Sequence, residues 1–496
     1  MKNKTSMSGN KNVLYVNKNR ILKMMRKFIF KRPFWLIFSL YGCMVGPNYK
    51  EPEVVMPDHY IENNQSLVVS SLKDWWKTFN DPVLDSMIER SITNNYDLKI
   101  AIEKIEQTRA YYRIKRANLF PEIDMTATAI RYGLSQNIIQ NSLLPLNAYN
   151  LFAAGFDASW EIDIFGKLRR EKEAAYYEMQ AMQENMRDVY IKLISDVARY
   201  YVDLCAIQNI IEMTNKKIEL QNLVLSLIKD RKEKGLNSKI SEDEELSRLK
   251  VEEENLLYYN TLFKQTAYLL STLLGIQPES FSENYGEFKK VPIATERVPM
   301  NLPSTLLRQR PDIRSAERQL AQATAIVGAA IGEFFPVFSL TGNSSFEVNK
   351  IRDFFMSRSF SWSLGSVMQW PIINFGRIRA NVDVKKSQQK QALLKYENTI
   401  LSALKDVESA LIAYYNEDEK LKDISVEVLS FKDISVLEKS KYQTGINSLF
   451  NYIEAEKGLI DKEIKKVESE RYLAHDLIAL YKALGGDDWS DNTEKK

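Results

Sequence analysis

The sequence predicts a mainly α-helical chain, internally duplicated, that contributes four β-strands to a membrane β-barrel and two pairs of very long coiled-coil helices. Three observations predict it. The first is a repeat at one offset of 210: Phe165-Gly166-Lys167-Leu168-Arg169 recurs as Phe375-Gly376-Arg377-Ile378-Arg379, Asp196-Val197 as Asp406-Val407, Gly235-Leu236-Asn237-Ser238 as Gly445-Ile446-Asn447-Ser448, and Leu274-Gly275 as Leu484-Gly485. Upstream the match continues at an offset of 215, from Asp97 and Phe120-Pro121 to Asp312 and Phe335-Pro336. A repeat this long means two copies of one structural unit. The second observation is that no glycine or proline stands between Gly166 and Gly235, or between Gly376 and Gly445. A continuous helix over either stretch reaches roughly 100 Å at 1.5 Å per residue, far beyond the globular mean of about 11–12 residues. The third is a period-two pattern in four short segments, where helical periodicity stops.

The elements follow in order. Basic residues Lys23, Arg26, Lys27, Lys31 and Arg32 precede the apolar segment from Pro33 to Tyr41, which reads as a signal peptide over 1–42. Leu40-Tyr41-Gly42-Cys43 ends it, in the pattern of a bacterial lipobox that leaves Cys43 acylated and first in the mature chain. Residues 43–72, with Pro47, Pro52 and Pro57, read as an extended arm. The first repeat covers 73–285. Asp81-Pro82 opens a helix to about Asn94, and Asp97 is positioned to cap a second helix to about Asn118. Past Pro121, Ile123, Met125, Ala127 and Ala129 alternate with Glu122, Asp124, Thr126 and Thr128, and Phe152, Phe156 and Trp160 alternate with smaller or polar residues. The first long helix runs to Gly235, a natural C-terminal stop, and a second helical stretch returns over 240–274. The second repeat, 286–485, does the same, with strands around Phe338–Asn343 and Phe360–Trp370, loops at about 131–150 and 344–357, a turn at Gly445 and a return over 449–484. Residues 486–496 form a tail.

Strands of this length suit a tilted bilayer crossing, with Trp160, Trp362 and Trp370 placed for an interfacial girdle. A barrel in lipid must close, because an open edge leaves backbone groups without partners. Four strands per chain therefore demand oligomerisation. Side chains fill an eight-stranded bore, whereas twelve strands leave room for a conduit. The Gly, Ser, Thr and Asn content of the alternate positions fits a polar lumen, and so a trimer with pseudo-sixfold symmetry.

Other classes find little support. The mean hydropathy of −0.33 is ordinary for a water-soluble chain, and no apolar run is long enough for a transmembrane helix. The net charge of +3 is interspersed, without the basic block that nucleic acid requires. The two histidines, His59 and His475, lack metal-ligand spacing, and no phosphate-binding glycine loop is present. Cys205, in an apolar helical stretch, reads as a buried core thiol without a disulfide partner. No cofactor is expected beyond the covalent lipid on Cys43.

Several motifs add to this reading. They are Cys43-Met44-Val45-Gly46-Pro47-Asn48-Tyr49, Asp74-Trp75-Trp76 followed by Asp81-Pro82, Ala117-Asn118-Leu119-Phe120-Pro121, Trp160-Glu161-Ile162-Asp163-Ile164-Phe165-Gly166, Leu307-Arg308-Gln309-Arg310-Pro311-Asp312-Ile313, and Pro371 with Asn374-Phe375-Gly376. In this order they resemble the TolC-like outer membrane factors, and especially the lipoprotein branch that serves tripartite efflux pumps. The resemblance implies a trimeric 12-stranded β-barrel continued by a periplasmic α-helical barrel. It implies passive export of small molecules across periplasm and outer membrane, without catalysis. Its implied partners are two further copies, a periplasmic adaptor, an inner membrane pump of the resistance–nodulation–division (RND) type and outer membrane lipid. A duct for type I protein secretion, or a structural envelope lipoprotein, is the alternative. In the family, adaptors dock at the periplasmic turns, which here assigns Gly235, Leu236, Lys441, Tyr442, Gly445 and Ile446. The family also closes its tip with interhelical polar bonds and an acidic ring. The matching stretch holds Asn451 and Glu454, with Asp243 on the opposing hairpin as a further candidate.

Overall fold

The structure is a computed structural model that describes residues 44–61, 74–133, 148–284, 290–294 and 309–486. The signal segment, Cys43 and the tail beyond 486 lie outside the described residues, as do 134–147 in the first strand loop. After a short 3₁₀ turn at Trp75–Phe79 come α1 (Pro82–Asn94), α2 (Tyr96–Ala117), β1 (Glu122–Tyr132), β2 (Tyr149–Ile162), α3 (Lys167–Glu233), α4 (Lys239–Leu273) and α5 (Pro278–Asn284). Then follow α6 (Pro311–Gly332), β3 (Val337–Val348), β4 (Phe360–Gln369), α7 (Arg377–Gln443) and α8 (Leu449–Ala483). The helices α3 and α7 each have 67 residues, and α4 and α8 each have 35. Each pair starts and stops 210 positions apart, so the duplication reaches individual helix ends.

The compact units are not the repeats. One gathers Tyr112–Ala175 and Gln322–Gln389 with the described residues up to Tyr49; the other gathers Lys50–Tyr111, Tyr176–Ala321 and the described residues from Lys390 onward. In the first unit the strands form one antiparallel sheet in the order β1-β2-β3-β4. The two hairpins are joined by β2 against β3, with Phe156 opposite Ser344 and Trp160 opposite Leu340. Strand β3 runs on to Val348 and shortens the expected loop at 344–357. Its alternation persists through Phe346 and Val348, which pair with Ala154 and Phe152.

In the second unit one apolar core is built where helices of both repeats meet. Val197, Val202, Leu204 and Cys205 of α3, Ala403, Val407 and Leu411 of α7, and Leu480 and Leu484 at the end of α8 are all buried in it. Trp75 is buried there and stacks on Tyr481 with ring centroids 5.0 Å apart. Burial pushes the Cys205 thiol up to about 12. Asp81 caps α1, accepting from the Val83 and Leu84 amides, and its other oxygen accepts from the Tyr201 hydroxyl at 2.6 Å.

The cap of α2 differs from expectation. Asn95, not Asp97, accepts the Leu98 amide at 3.0 Å, and it also donates to the Leu273 carbonyl at 3.0 Å. Asn95 wins because it ties the start of α2 to the end of α4, a partner that local sequence does not reveal. The second repeat solves the same problem with Arg310, which donates to the Ala483 carbonyl at 3.0 Å. Leu273 and Ala483 are themselves 210 positions apart. Arg310 adds a fork of bonds to Asp312 at 3.0 and 2.8 Å and reaches Asp406 at 3.5 Å. With Asp476 these groups line a cavity of about 640 Å³.

Candidate channel wall and helical tips

The register of the sheet sorts its side chains by polarity. Residues opposite one another share a face, so Met125, Phe156, Ser344 and Trp362 fall on one side, as do Ala158, Gly342 and Leu364. Ile123, Phe152, Trp160, Leu340, Phe360 and Met368 extend this face, and much of it is exposed in the single chain, with Trp362 72% exposed. The opposite face carries Asp124, Thr126, Asp157, Thr341, Asn343, Ser345, Ser361 and Ser363. Its polar groups bond across the strands: Asp157 accepts from Thr126 at 2.8 Å and from Asn343 at 2.7 Å, and Ser345 meets Ser361 at 2.9 Å. Trp160 and Trp370 donate their indole N–H to the Leu119 and Phe334 carbonyls, each at 3.0 Å. Among the described residues no other strand pairs with the outer edges of β1 and β4.

An apolar face, a polar face and two open edges describe a segment of barrel wall. Among the described residues no helix is long and apolar enough to cross a membrane.

The helical hairpins turn through one motif used twice. After α3, Gly235 sits at φ +72° and donates to Lys232, while Leu236 donates to Arg231. After α7, Gly445 sits at φ +74° and donates to Tyr442, while Ile446 donates to Lys441. Both are Schellman turns, whose left-handed residue favours glycine. Ser238 and Ser448 then cap α4 and α8 by accepting from Ser241 and Asn451. Each turn leaves an apolar side chain bare, Leu236 at 71% and Ile446 at 78% exposed.

The remaining predicted residues take varied places. Lys441 pairs with Glu438 at 2.7 Å, and Tyr442 stacks on Tyr452 at 6.5 Å with the rings nearly parallel. The Lys441 ammonium is the main cause that holds the Glu438 carboxyl below its ordinary range. Asp243 is exposed. Asn451 donates to Asn447, which in turn donates to Glu438. Glu454 is paired with Lys457 at 3.0 Å, so its carboxylate is partly neutralised within the chain.

Sequence reasoning missed the cluster around that lysine. Lys457 of α8 donates to Gln221 of α3 at 2.7 Å, and Gln221 donates to the buried Glu245 of α4 at 2.6 Å. One turn earlier on α3, Lys217 bridges Glu252 at 2.7 Å and Asp461 at 2.9 Å. Lys217–Glu252 has a counterpart of reversed polarity 210 positions on, Glu427–Lys462 at 2.7 Å. That double charge reversal was visible in the aligned repeats and is the signal that would have found the pair. Val224, Ile228 and Ile453 close a small apolar core beside these groups. Together the contacts fasten the return helix of the second hairpin to the outgoing helix of the first. Among the described residues no cluster of His, Cys, Asp and Glu is arranged to hold a metal.

A two-faced sheet with unpaired edges, in a chain that also forms paired helices of this length, defines an outer membrane channel of the TolC-like kind. The chain belongs to the outer membrane efflux protein family, whose profile matches 87–276 and 302–486, one stretch in each repeat. It is 30% identical over 464 residues to the toluene efflux pump outer membrane protein TtgC of Pseudomonas putida, covering 92% of this chain and 95% of that protein. It is 26% identical over 461 residues to the cation efflux system protein CusC of Escherichia coli, covering 92% and 98%. The solved CmeC outer membrane channel of Campylobacter jejuni superposes with a TM-score of 0.81 at 25% identity, over 90% of this chain and 95% of that one. The protein is an outer membrane efflux channel.

Proposed function

We propose that three copies of this chain join their sheets edge to edge into a 12-stranded barrel and act as a passive conduit in a tripartite pump. The observation that carries this reading is the sheet itself. Its register gives it a lipid-compatible face and a polar face, and both its edges need partners that the described residues do not supply. The polar ladder from Thr126 to Ser361 then lines the lumen, and lipid meets Met125, Phe156 and Trp362. Cys43 carries the lipid anchor. The chain performs no catalysis and needs no cofactor.

The bare Leu236 and Ile446, on rigid glycine turns, are the docking points for a periplasmic adaptor, with Lys441 and Tyr442 beside the second. The pump behind the adaptor is of the RND type, and cargo choice resides there. Relatives named for toluene and for cations share this fold, which fits a duct that does not select. The aperture is held by the Lys217, Gln221 and Lys457 bonds, with Asp243, Asn451 and Glu454 near it.

Copurification from cells tests the reading. The native particle should have the mass of three chains and carry an adaptor, and Gly445→Asp should lose the adaptor while the trimer persists. A monomeric particle would sink the proposal. So would a trimer whose deletion alters protein secretion and leaves small-molecule susceptibility unchanged.

A further inference from the structure

Arg170 is a fully buried arginine on the first turn of α3 that the channel does not use. Its guanidinium is committed to the amino-terminal arm. Nε donates to the Val45 carbonyl at 3.1 Å, and Nη2 donates to the Gly46 carbonyl at 3.2 Å and to Asn48 Oδ1 at 2.7 Å. Nη1 pairs with Glu173 at 2.8 Å, which balances the buried charge. The Val45 amide closes the arrangement by donating to the Phe165 carbonyl at 3.1 Å.

Glycines make the close approach possible. A Cβ on Gly46, which sits at φ +86°, would come within 2.5 Å of Gly328 Cα. One on Gly328 would come within 2.8 Å of the Arg170 side chain, and one on Gly166 within 2.7 Å of Met44. The arm therefore packs closely on α6, backbone against backbone at Gly46 and Gly328, and the Arg170 side chain of α3 packs against Gly328.

Among the described residues the second repeat lacks the two features that make this arrangement. The position equivalent to Arg170 is Ala380, and Gly376, equivalent to Gly166, has open space where a Cβ would point. The first repeat has thus acquired a site that general barrel architecture does not require. Four of the five guanidinium N–H groups serve it, and a buried charge is tolerated only when its donors are satisfied in this way.

We propose that this site is a clamp for the lipid-bearing arm, and that Arg170 is the positioning residue that fixes where the lipid of Cys43 enters the bilayer. This rests on the lipidated-cysteine reading given above. Only Met44 separates Cys43 from Val45, so the two Cα atoms lie at most about 7 Å apart. The anchor is therefore tethered beside Phe165, whose ring stacks on Phe335 at 4.6 Å.

Hydrogen exchange at the Val45 amide, in full-length protein in lipid nanodiscs, tests the clamp. Arg170→Ala should speed that exchange about tenfold or more, since it removes several charge-assisted bonds at once. Amides in Val197–Cys205 should keep their native rates. Asn48→Ala leaves three of the four partners and should give a smaller rise, and it decides the matter if Arg170→Ala does not fold. Unchanged exchange at Val45 in the folded variants overturns the clamp. The mass of the amino-terminal peptide reads acylation separately. Cys43→Ser should lose the lipid and keep Val45 protected. An unmodified Cys43 in the native protein, with Val45 still protected, overturns the lipid reading and leaves the arm contact standing.

Discussion

The two helical hairpins share a backbone and differ in what ties their helices together. Both end in a Schellman turn and a serine cap at positions 210 apart. Just inside the turn, however, the first hairpin places Lys232 against Glu242 in an ion pair, whereas the equivalent Tyr442 and Tyr452 of the second form a ring stack. Farther along, Lys217–Glu252 is matched by Glu427–Lys462 with the charges exchanged. The comparison teaches which features the architecture demands of both copies and which each copy was free to choose. Turn geometry, helix length and the tie between helix ends are demanded. The chemistry of the cross-helix pairs is free, provided each pair is complementary.

The comparison can be broken most severely at the paired helix ends. Asn95 and Arg310 hold equivalent carbonyls, but Arg310 is a half-buried cation that also contacts two carboxylates. Arg310→Ala should cost about 2–3 kcal/mol, because it strips the fork from Asp312 and the donor from the Ala483 carbonyl, while Asp406 keeps Lys405 at 3.1 Å. Asn95→Ala should cost about 1–2 kcal/mol, the scale of a lost cap and its bond. Denaturant unfolding of the two variants checks the order, and equal losses would mean the second tie is no more than a copy of the first.

The tips offer a smaller contrast. Hydrogen exchange just past Gly235 should quicken with added salt and in Lys232→Ala, because an exposed ion pair is screened. Exchange past Gly445 should depend less on salt, since only the Lys441–Glu438 pair within α7 is screened there, and should respond to Tyr442→Ala by about two- to tenfold, the scale of an aromatic pair at about 0.5–1.5 kcal/mol. Equal salt sensitivity at the two tips would erase the distinction.

The smallest effect concerns Asp476, which stands where the first repeat has Thr266. Burial, and next the Glu417 carboxylate, push Asp476 up to about 6, with His475 and Lys420 opposing. Its folded value lies above its unfolded one. The contribution is therefore fully present at low pH, falls as pH rises through about 6, and remains a deficit above that. Asp476→Thr should raise the unfolding temperature by about 1–2 °C at pH 8, with the difference gone by pH 4. A constant difference across that range would show that packing, not charge, sets it.

Much of this was legible in the chain because it is local or repeated. The Asp81 cap, the glycine turns and the strand alternation each lie within a few residues, and the duplication printed every boundary twice. What escaped depends on partners far away in sequence. Asp97 looked like the cap of α2 until the Leu273 carbonyl favoured Asn95. The β2–β3 pairing links residues nearly two hundred positions apart, and the Arg170 contacts join α3 to an arm whose own sequence shows only prolines. Lys457 looks like an ordinary surface lysine until Gln221 of α3 is seen to accept from it. Periodicity reports which face is buried; it is silent about which side chain across the gap completes a bond.

The order of strands also sets a timetable. Each hairpin joins strands adjacent in sequence and can form early, but β2 cannot meet β3 until α3, α4 and α6 between them have been made. Contacts of such long sequence separation are intrinsically slow. Until that meeting, each hairpin presents two bare strand edges and a greasy face to water, which is the state most prone to aggregate. The centre of the sheet is thus the late event of folding, and the step at which an escorting chaperone has the most to protect.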